Sequence, residues 1–330
     1  MKLKHINLMN VFMCFGVVTI HLTSIPVLNL RRDSLWYLLF FVINKFFSFA
    51  VPTFLFLSGF KLFHKSRNAK IDLKSFYIGR IRRLVIPYLI AFAVYFTFFK
   101  TQNLATWDEL LPGLFLGKLV AHFYYIIIAI QFYLLFPLLK FLFDRADKLL
   151  LILSFVSTIL LNQFVSFAYD DRFFATYIFY FVLGMFLAKY RAEKPIRPVW
   201  LYAAAFLTAA GVHIALCYRM SLGGFWYRNS GIGQVLYVTT AILLLYICSM
   251  KTDCKKVEAI VEFFDPHTLN IFLYHILIMN IMQFVVLPHY DLSIKFQFLI
   301  ISAVVFTVIF LYCLLMNFLK TRGARRLENR

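Results

Sequence analysis

Ile6–Asn7–Leu8–Met9–Asn10–Val11–Phe12–Met13–Cys14–Phe15–Gly16–Val17–Val18–Thr19–Ile20–His21–Leu22–Thr23–Ser24–Ile25 is a continuous apolar run of membrane-spanning length, and His21 is its one ionisable residue. The apolar residues do not alternate with polar ones, so the run reads as a transmembrane helix rather than a barrel strand. On a helix the step from Asn10 to His21 makes almost three turns, which puts both on one face about 16 Å apart. Asn7, Cys14 and Ser24 fall near the same stripe, while Phe12, Phe15 and Val18 point elsewhere. A polar seam at membrane depth faces protein or a cavity, because lipid cannot solvate it. Such a seam serves either chemistry or helix packing.

Similar runs fill the chain, which has 330 residues and is 62% hydrophobic. Its mean hydropathy of +0.79 excludes a soluble protein with a polar surface. Ten spans are expected, at about 6–25, 36–63, 84–99, 122–143, 149–167, 173–188, 200–217, 234–250, 267–287 and 296–319. The expected fold is an all-α polytopic membrane helical bundle forming one domain over residues 1–330, since no polar stretch is long enough to wrap its own core. The net charge of +19 does not signal nucleic acid, because most of the 34 Lys and Arg residues cluster in alternate short loops. Lys2, Lys65, Lys70, Arg80, Lys148, Lys194, Arg197, Lys255, Arg326 and Arg330 are among them. The positive-inside rule then places both termini in the cytoplasm of a multi-pass protein of the cell membrane, with a bacterial cytoplasmic membrane as the expected setting. The five cysteines have no metal spacing and imply no disulfide framework. The first run lacks a small-x-small cleavage site and reads as a retained span.

Between the spans, Pro52 predicts a kink in the second. Lys45, near the outer end of that span, is either a snorkelling cation or part of a substrate site. Leu104, Trp107, Leu111 and Leu114 recur at helical spacing and predict a helix lying in the outer interface. Tyr218 to Gly233, with Gly223, Gly224, Gly231 and Gly233, reads as an irregular outer loop. None of the 15 Asp and Glu residues falls deep in a span, and Asp265 sits at an inner span end. Ion-coupled carriers usually place a carboxylate in the membrane, so this pattern argues against one.

Two histidines lie at membrane depth, His21 in the outer third and His275 about 12 Å into the ninth span. Imidazole holds and returns a proton near neutral pH, which suits a general base for a hydroxyl. His122 and His213 lie nearer outer span ends and read as interfacial. Arg80, Arg82 and Arg83 form a cationic fork ahead of the third span, fit to grip phosphates bidentately.

These pieces together resemble the membrane acyltransferase-3 family. The family pattern of a basic residue, ten others and His falls on Asn10 to His21. Val51–Pro52–Thr53–Phe54–Leu55–Phe56–Leu57–Ser58–Gly59–Phe60 resembles the end of its second span, and Arg80–Ile81–Arg82–Arg83 its Arg-x-x-Arg. Its aromatic fourth span is matched by His122–Phe123–Tyr124–Tyr125 with Gln131–Phe132–Tyr133–Leu134–Leu135–Phe136–Pro137, and its late motif by Ile271–Phe272–Leu273–Tyr274–His275. Two departures stand out. Asn10 replaces the arginine, and Ala129 and Ile130 stand where many glycan-acetylating relatives carry acids.

The resemblance implies a ten-span O-acyltransferase with acyl-CoA, commonly acetyl-CoA, as a passing donor and no permanently bound cofactor or metal. The acceptor would be a hydroxyl of a cell-surface glycan or a lipid-linked glycan. Arg80, Arg82 and Arg83 would hold the donor phosphates, and His21 would act as general base or take the acyl group itself. Asn10 would belong to the same site, and His275, Tyr274 or Gln131 would steady the oxyanion. Lys45 and His122 complete the expected substrate contacts. The main rival is a carrier or flippase for a lipid-linked glycan using the same seam, and a catalytically silent scaffold is the third.

Overall fold

The computed structural model describes residues 4–191, 198–223, 227 and 230–328. Lys2, Lys194, Arg197, Gly224 and Arg330, named above, lie outside the described residues. Helices follow one another without a strand among the described residues: α1 (Lys4–Asn29), α2 (Leu35–Phe46), α3 (Ala50–Ser66), α4 (Leu73–Arg80), α5 (Ile86–Thr101), α6 (Leu110–Leu116) and α7 (Phe123–Phe164). Then come α8 (Ile178–Tyr190), α9 (Val199–Ser221), α10 (Ile232–Lys251), α11 (Lys255–Phe264), α12 (Thr268–Ile281) and α13 (Ile294–Glu328). Among the described residues, eight helical stretches are long and apolar enough to cross a membrane. The protein is therefore an all-α, multi-pass membrane protein.

The two spans expected at 122–143 and 149–167 lie on one helix, α7, of 42 residues. A straight helix of that length would run about 63 Å, twice the hydrocarbon thickness of a bilayer. It breaks at Ala146, where φ is −149° and ψ is 58°. The break falls in the charged insert between the two apolar runs. There Lys140 pairs with Asp144 at 2.5 Å, and Asp147 accepts from Lys189 at 2.7 Å. The span expected at 173–188 is the shorter α8, of 13 residues.

Proline shapes two other spans. Pro87 and Pro288 each follow, by two residues, a five-residue π-helical turn, at Ile81–Val85 and Met282–Val286. A proline lacks the N–H that would bond four residues back, and its ring crowds that carbonyl. Widening the turn ahead of it relieves the crowding. At Pro52 the helix is interrupted over residues 47–49, and the proline sits in the first turn of α3, where its missing N–H costs nothing. The helix expected in the outer interface is shorter than the spacing suggested: only Leu110–Leu116 is α-helical, and Gly117 ends it with φ at +62°. The loop expected from Tyr218 to Gly233 is helical at both ends, as far as Ser221 in α9 and from Ile232 in α10.

The chain divides into two compact units, Met1–Phe47 with Thr252–Arg330, and Ser48–Lys251. In the first, α1 packs against α2, α12 and α13. Its hydroxyls bond within their own helix: Thr19 to the Phe15 carbonyl at 2.9 Å, Thr23 to Thr19 at 2.7 Å and Ser24 to Ile20 at 2.7 Å. Polar side chains are tolerated at membrane depth when satisfied this way. In the second unit α3 and α8 pack through glycine. A Cβ on Gly59 would strike the Phe181 carbonyl, and one on Gly184 the Phe56 carbonyl. Close backbone approach is what small residues give a membrane interface.

Candidate functional site

In the first unit α1 and α12 run in the same direction. Near their starts Asn10 Nδ2 donates to Asp265 Oδ1 at 2.9 Å and to Thr268 Oγ1 at 3.0 Å. Cys14 Sγ reaches the Thr268 carbonyl at 3.5 Å. Further along, the rings of His21 and His275 meet with centroids 5.2 Å apart and planes tilted by 47°. Asn10 and His21 thus do share a face, and that face meets α12. His275 is buried, and its Nδ1 lies 3.0 Å from the Ile271 carbonyl and 2.8 Å from that of Phe272. Carbonyls only accept, so the hydrogen of the neutral ring sits on Nδ1 and Nε2 carries the lone pair. That arrangement makes His275 a proton acceptor in its neutral form, whereas an oxyanion would need it to donate.

A further polar side chain fixes α1 beside His21. Asn44 Nδ2, on α2, donates to the Ile20 carbonyl at 2.8 Å and lies 3.1 Å from Thr23 Oγ1 and 3.2 Å from Ser24 Oγ. Lys45 next to it is half-buried, with its ammonium 5.6 Å from the Phe41 ring centroid on the same helix. Tyr274, also half-buried, lines a groove together with His275.

The second unit holds a cationic cavity of about 320 Å³ between the end of α3 and the start of the third span. Lys65, Lys70, Arg80 and Arg83 line it, with Asp72 and Phe76. Arg82 is exposed and lies outside this lining. The Arg80 guanidinium lies near two rings, 5.4 Å from the centroid of Phe76 and 5.3 Å from that of Tyr133. Its Nε is buried without a hydrogen-bond partner in the protein. A buried charged donor left so is costly unless a ligand completes it. Asp72 is the one acid of the lining. A hydrogen bond from the Ser75 hydroxyl holds its carboxyl below the usual carboxylate range, so it stays ionised among the cations.

The whole sequence from residue 3 to residue 316 matches the family model described as an acyltransferase domain, acyltransferase-3. The chain belongs to that family. It is a membrane acyltransferase, and the family does not favour the carrier or flippase alternative. Neither a curated protein nor a solved structure matches it.

Of the residues the sequence put forward in this acyltransferase, His21, Asn10 and His275 come together in one unit, and Arg80 and Arg83 in one cavity of the other. Gln131 is committed elsewhere: its Nε2 donates to the Arg172 carbonyl at 2.8 Å, and its Oε1 accepts from Phe174 N at 3.0 Å. Its amide fastens the 170–174 turn through one Nε2 hydrogen and Oε1. His122 is buried among rings, with centroids 4.7 Å from Phe123 and 6.0 Å from Tyr95. His213 is buried too, bonded to the Tyr227 hydroxyl at 2.9 Å and stacked on Tyr237. Sequence reading missed Asp265, Thr268 and Asn44, and on the cationic side Lys65, Lys70, Asp72 and Tyr133. Asp265 gave a signal, as an acid at a span end, but its partner Asn10 lies 255 positions away.

Proposed function

We propose that this acyltransferase moves an acyl group from cytosolic acyl-CoA to a hydroxyl of a cell-surface glycan or lipid-linked glycan. The observation that carries the reading is the His21–His275 ring pair, with His275 oriented by two backbone carbonyls. An imidazole so placed takes the proton of the acceptor hydroxyl as its oxygen attacks the thioester carbonyl. The C–O bond forms, the C–S bond breaks, and the leaving thiolate recovers the proton from the imidazolium. His21 is the base in this scheme. His275 faces it as a neutral partner, since two imidazolium charges this close repel.

Phosphate recognition falls to the other unit. Lys65, Lys70, Arg80 and Arg83 supply the positive charge that a phosphorylated donor needs, and Arg80 brings a buried N–H with no partner of its own. Arg82 serves the surrounding field rather than the ligand. The cavity would then open to the cytoplasm. That agrees with the positive-inside reading, with both termini cytoplasmic and the protein in the cytoplasmic membrane of a bacterium.

The test uses membranes holding the full chain, acyl-CoA labelled in the acyl group (acetyl and octanoyl in separate arms) and a panel of glycan acceptors. Label should pass to a hydroxyl, and His21→Ala should lower the rate by about a hundredfold or more. Equal transfer by His21→Ala would falsify the base assignment.

A further inference from the structure

α12 and α13 run antiparallel, with His267 Nε2 3.1 Å from Asn317 Oδ1 and Asn270 Nδ2 donating to the Tyr312 hydroxyl at 2.6 Å. Between them lies a groove of about 460 Å³, within the roughly 300–1,000 Å³ range of ligand sites. Its two ends differ in chemistry. Asn270, Tyr312 and Tyr274 bring polar groups to one end, beside Ile271, and from His275 onward the lining is wholly aliphatic: Leu277, Ile278 and Ile281 on α12, with Val308 and Ile309 on α13. His275 stands at the junction. Both helices belong to membrane-spanning stretches, and Ile281 and Val308 are 39% and 40% exposed, so the aliphatic end opens where the medium is hydrocarbon.

We propose that this groove is the acyl-chain subsite, and that the acyl group it selects is longer than acetyl. The inference rests on the acyl-transfer reading. The thioester carbonyl lies beside His275, the alkyl tail runs along Ile278, Val308 and Ile281, and the amide-bearing arm of the donor meets Asn270, Tyr274 and Tyr312. A bulk lipid tail would account for the aliphatic end alone. It would not account for a hydrogen-bonded polar end joined to it at an imidazole. From His275 to Ile281 the helix rises about 9 Å, room for a medium-length chain and far more than acetyl fills. Val308, Ile278 and Ile281 are thus the specificity-determining residues.

The test uses the purified full-length protein in lipid vesicles and an octanoyl-CoA analogue with a photoreactive diazirine at the chain terminus. Adducts should map to 277–281 or 308–309 and fall when excess octanoyl-CoA competes. Val308→Trp and, separately, Ile281→Trp should lower the adduct yield at least fivefold relative to retained CoA. Leu311→Trp, lipid-facing on α13 but outside the groove, should not. Adducts spread over lipid-facing residues, or groove labelling that a diazirine phospholipid gives equally and octanoyl-CoA fails to displace, would overturn the subsite. Retention of octanoyl-CoA in a filter assay would leave the donor reading standing in that event. If neither acetyl-CoA nor octanoyl-CoA is retained, the donor reading falls and the subsite with it.

Discussion

Asn10 stands where the family pattern carries a basic residue, and Asp265 is the group that would face that base. In this chain the carboxylate accepts from a neutral amide instead. Asn10→Leu leaves Asp265 and Thr268 without their donor in a half-buried site, which costs about 1–3 kcal/mol. A lower thermal midpoint of the purified protein reads that loss. Asn10→Arg should keep the midpoint within a few degrees, because Asp265 neutralises the new charge. If Arg destabilises as much as Leu, the pairing has been misassigned. A second residue-scale prediction concerns Asp72. Its carboxylate subtracts from the field of four cations, so Asp72→Asn should tighten CoA binding severalfold by calorimetry, while Arg80→Ala weakens it. Arg80→Lys should not rescue, because a point charge neither stacks on Phe76 and Tyr133 as a planar guanidinium does nor binds bidentately.

At the scale of elements, the α3–α8 contact depends on two missing methyl groups. Gly184→Ala places a Cβ against the Phe56 carbonyl, and backbone cannot swing aside as a side chain can. The expected cost is about 1–3 kcal/mol. It should appear as earlier unfolding in detergent, and Gly211→Ala is the control, since nothing lies within 4 Å of a Cβ there. Equal behaviour of the two variants would mean that α3 and α8 do not pack so closely. The two π-helical turns make the same point about local sequence. Each precedes a proline, and the first carries Arg82 and Arg83, of which Arg83 lines the cavity with Arg80.

For the whole molecule the open quantity is sidedness. With Cys248 and Cys254 replaced, Asp33→Cys should react with a membrane-impermeant maleimide in intact cells. Arg67→Cys should react only after permeabilisation, because one apolar stretch, Leu35–Ser66, separates the two. The reverse pattern would put the arginine cavity on the outside and end the cytosolic-donor proposal.

Composition and run length by themselves determined a multi-pass helical membrane protein, because the bilayer accepts only segments that satisfy their own backbone. The spacing of Asn10 and His21 determined that they share a face, since that follows from one helix alone. Which residues meet that face was decided by the tertiary structure. Asp265, Thr268 and His275 come from the far end of the chain, and no periodicity within α1 encodes them. The same holds for the commitment of Gln131 to a turn, the two aromatic contacts of Arg80, and the joining of Lys65, Lys70 and Asp72 into one cavity. A helix fixes where its side chains point, and only packing fixes what they point at.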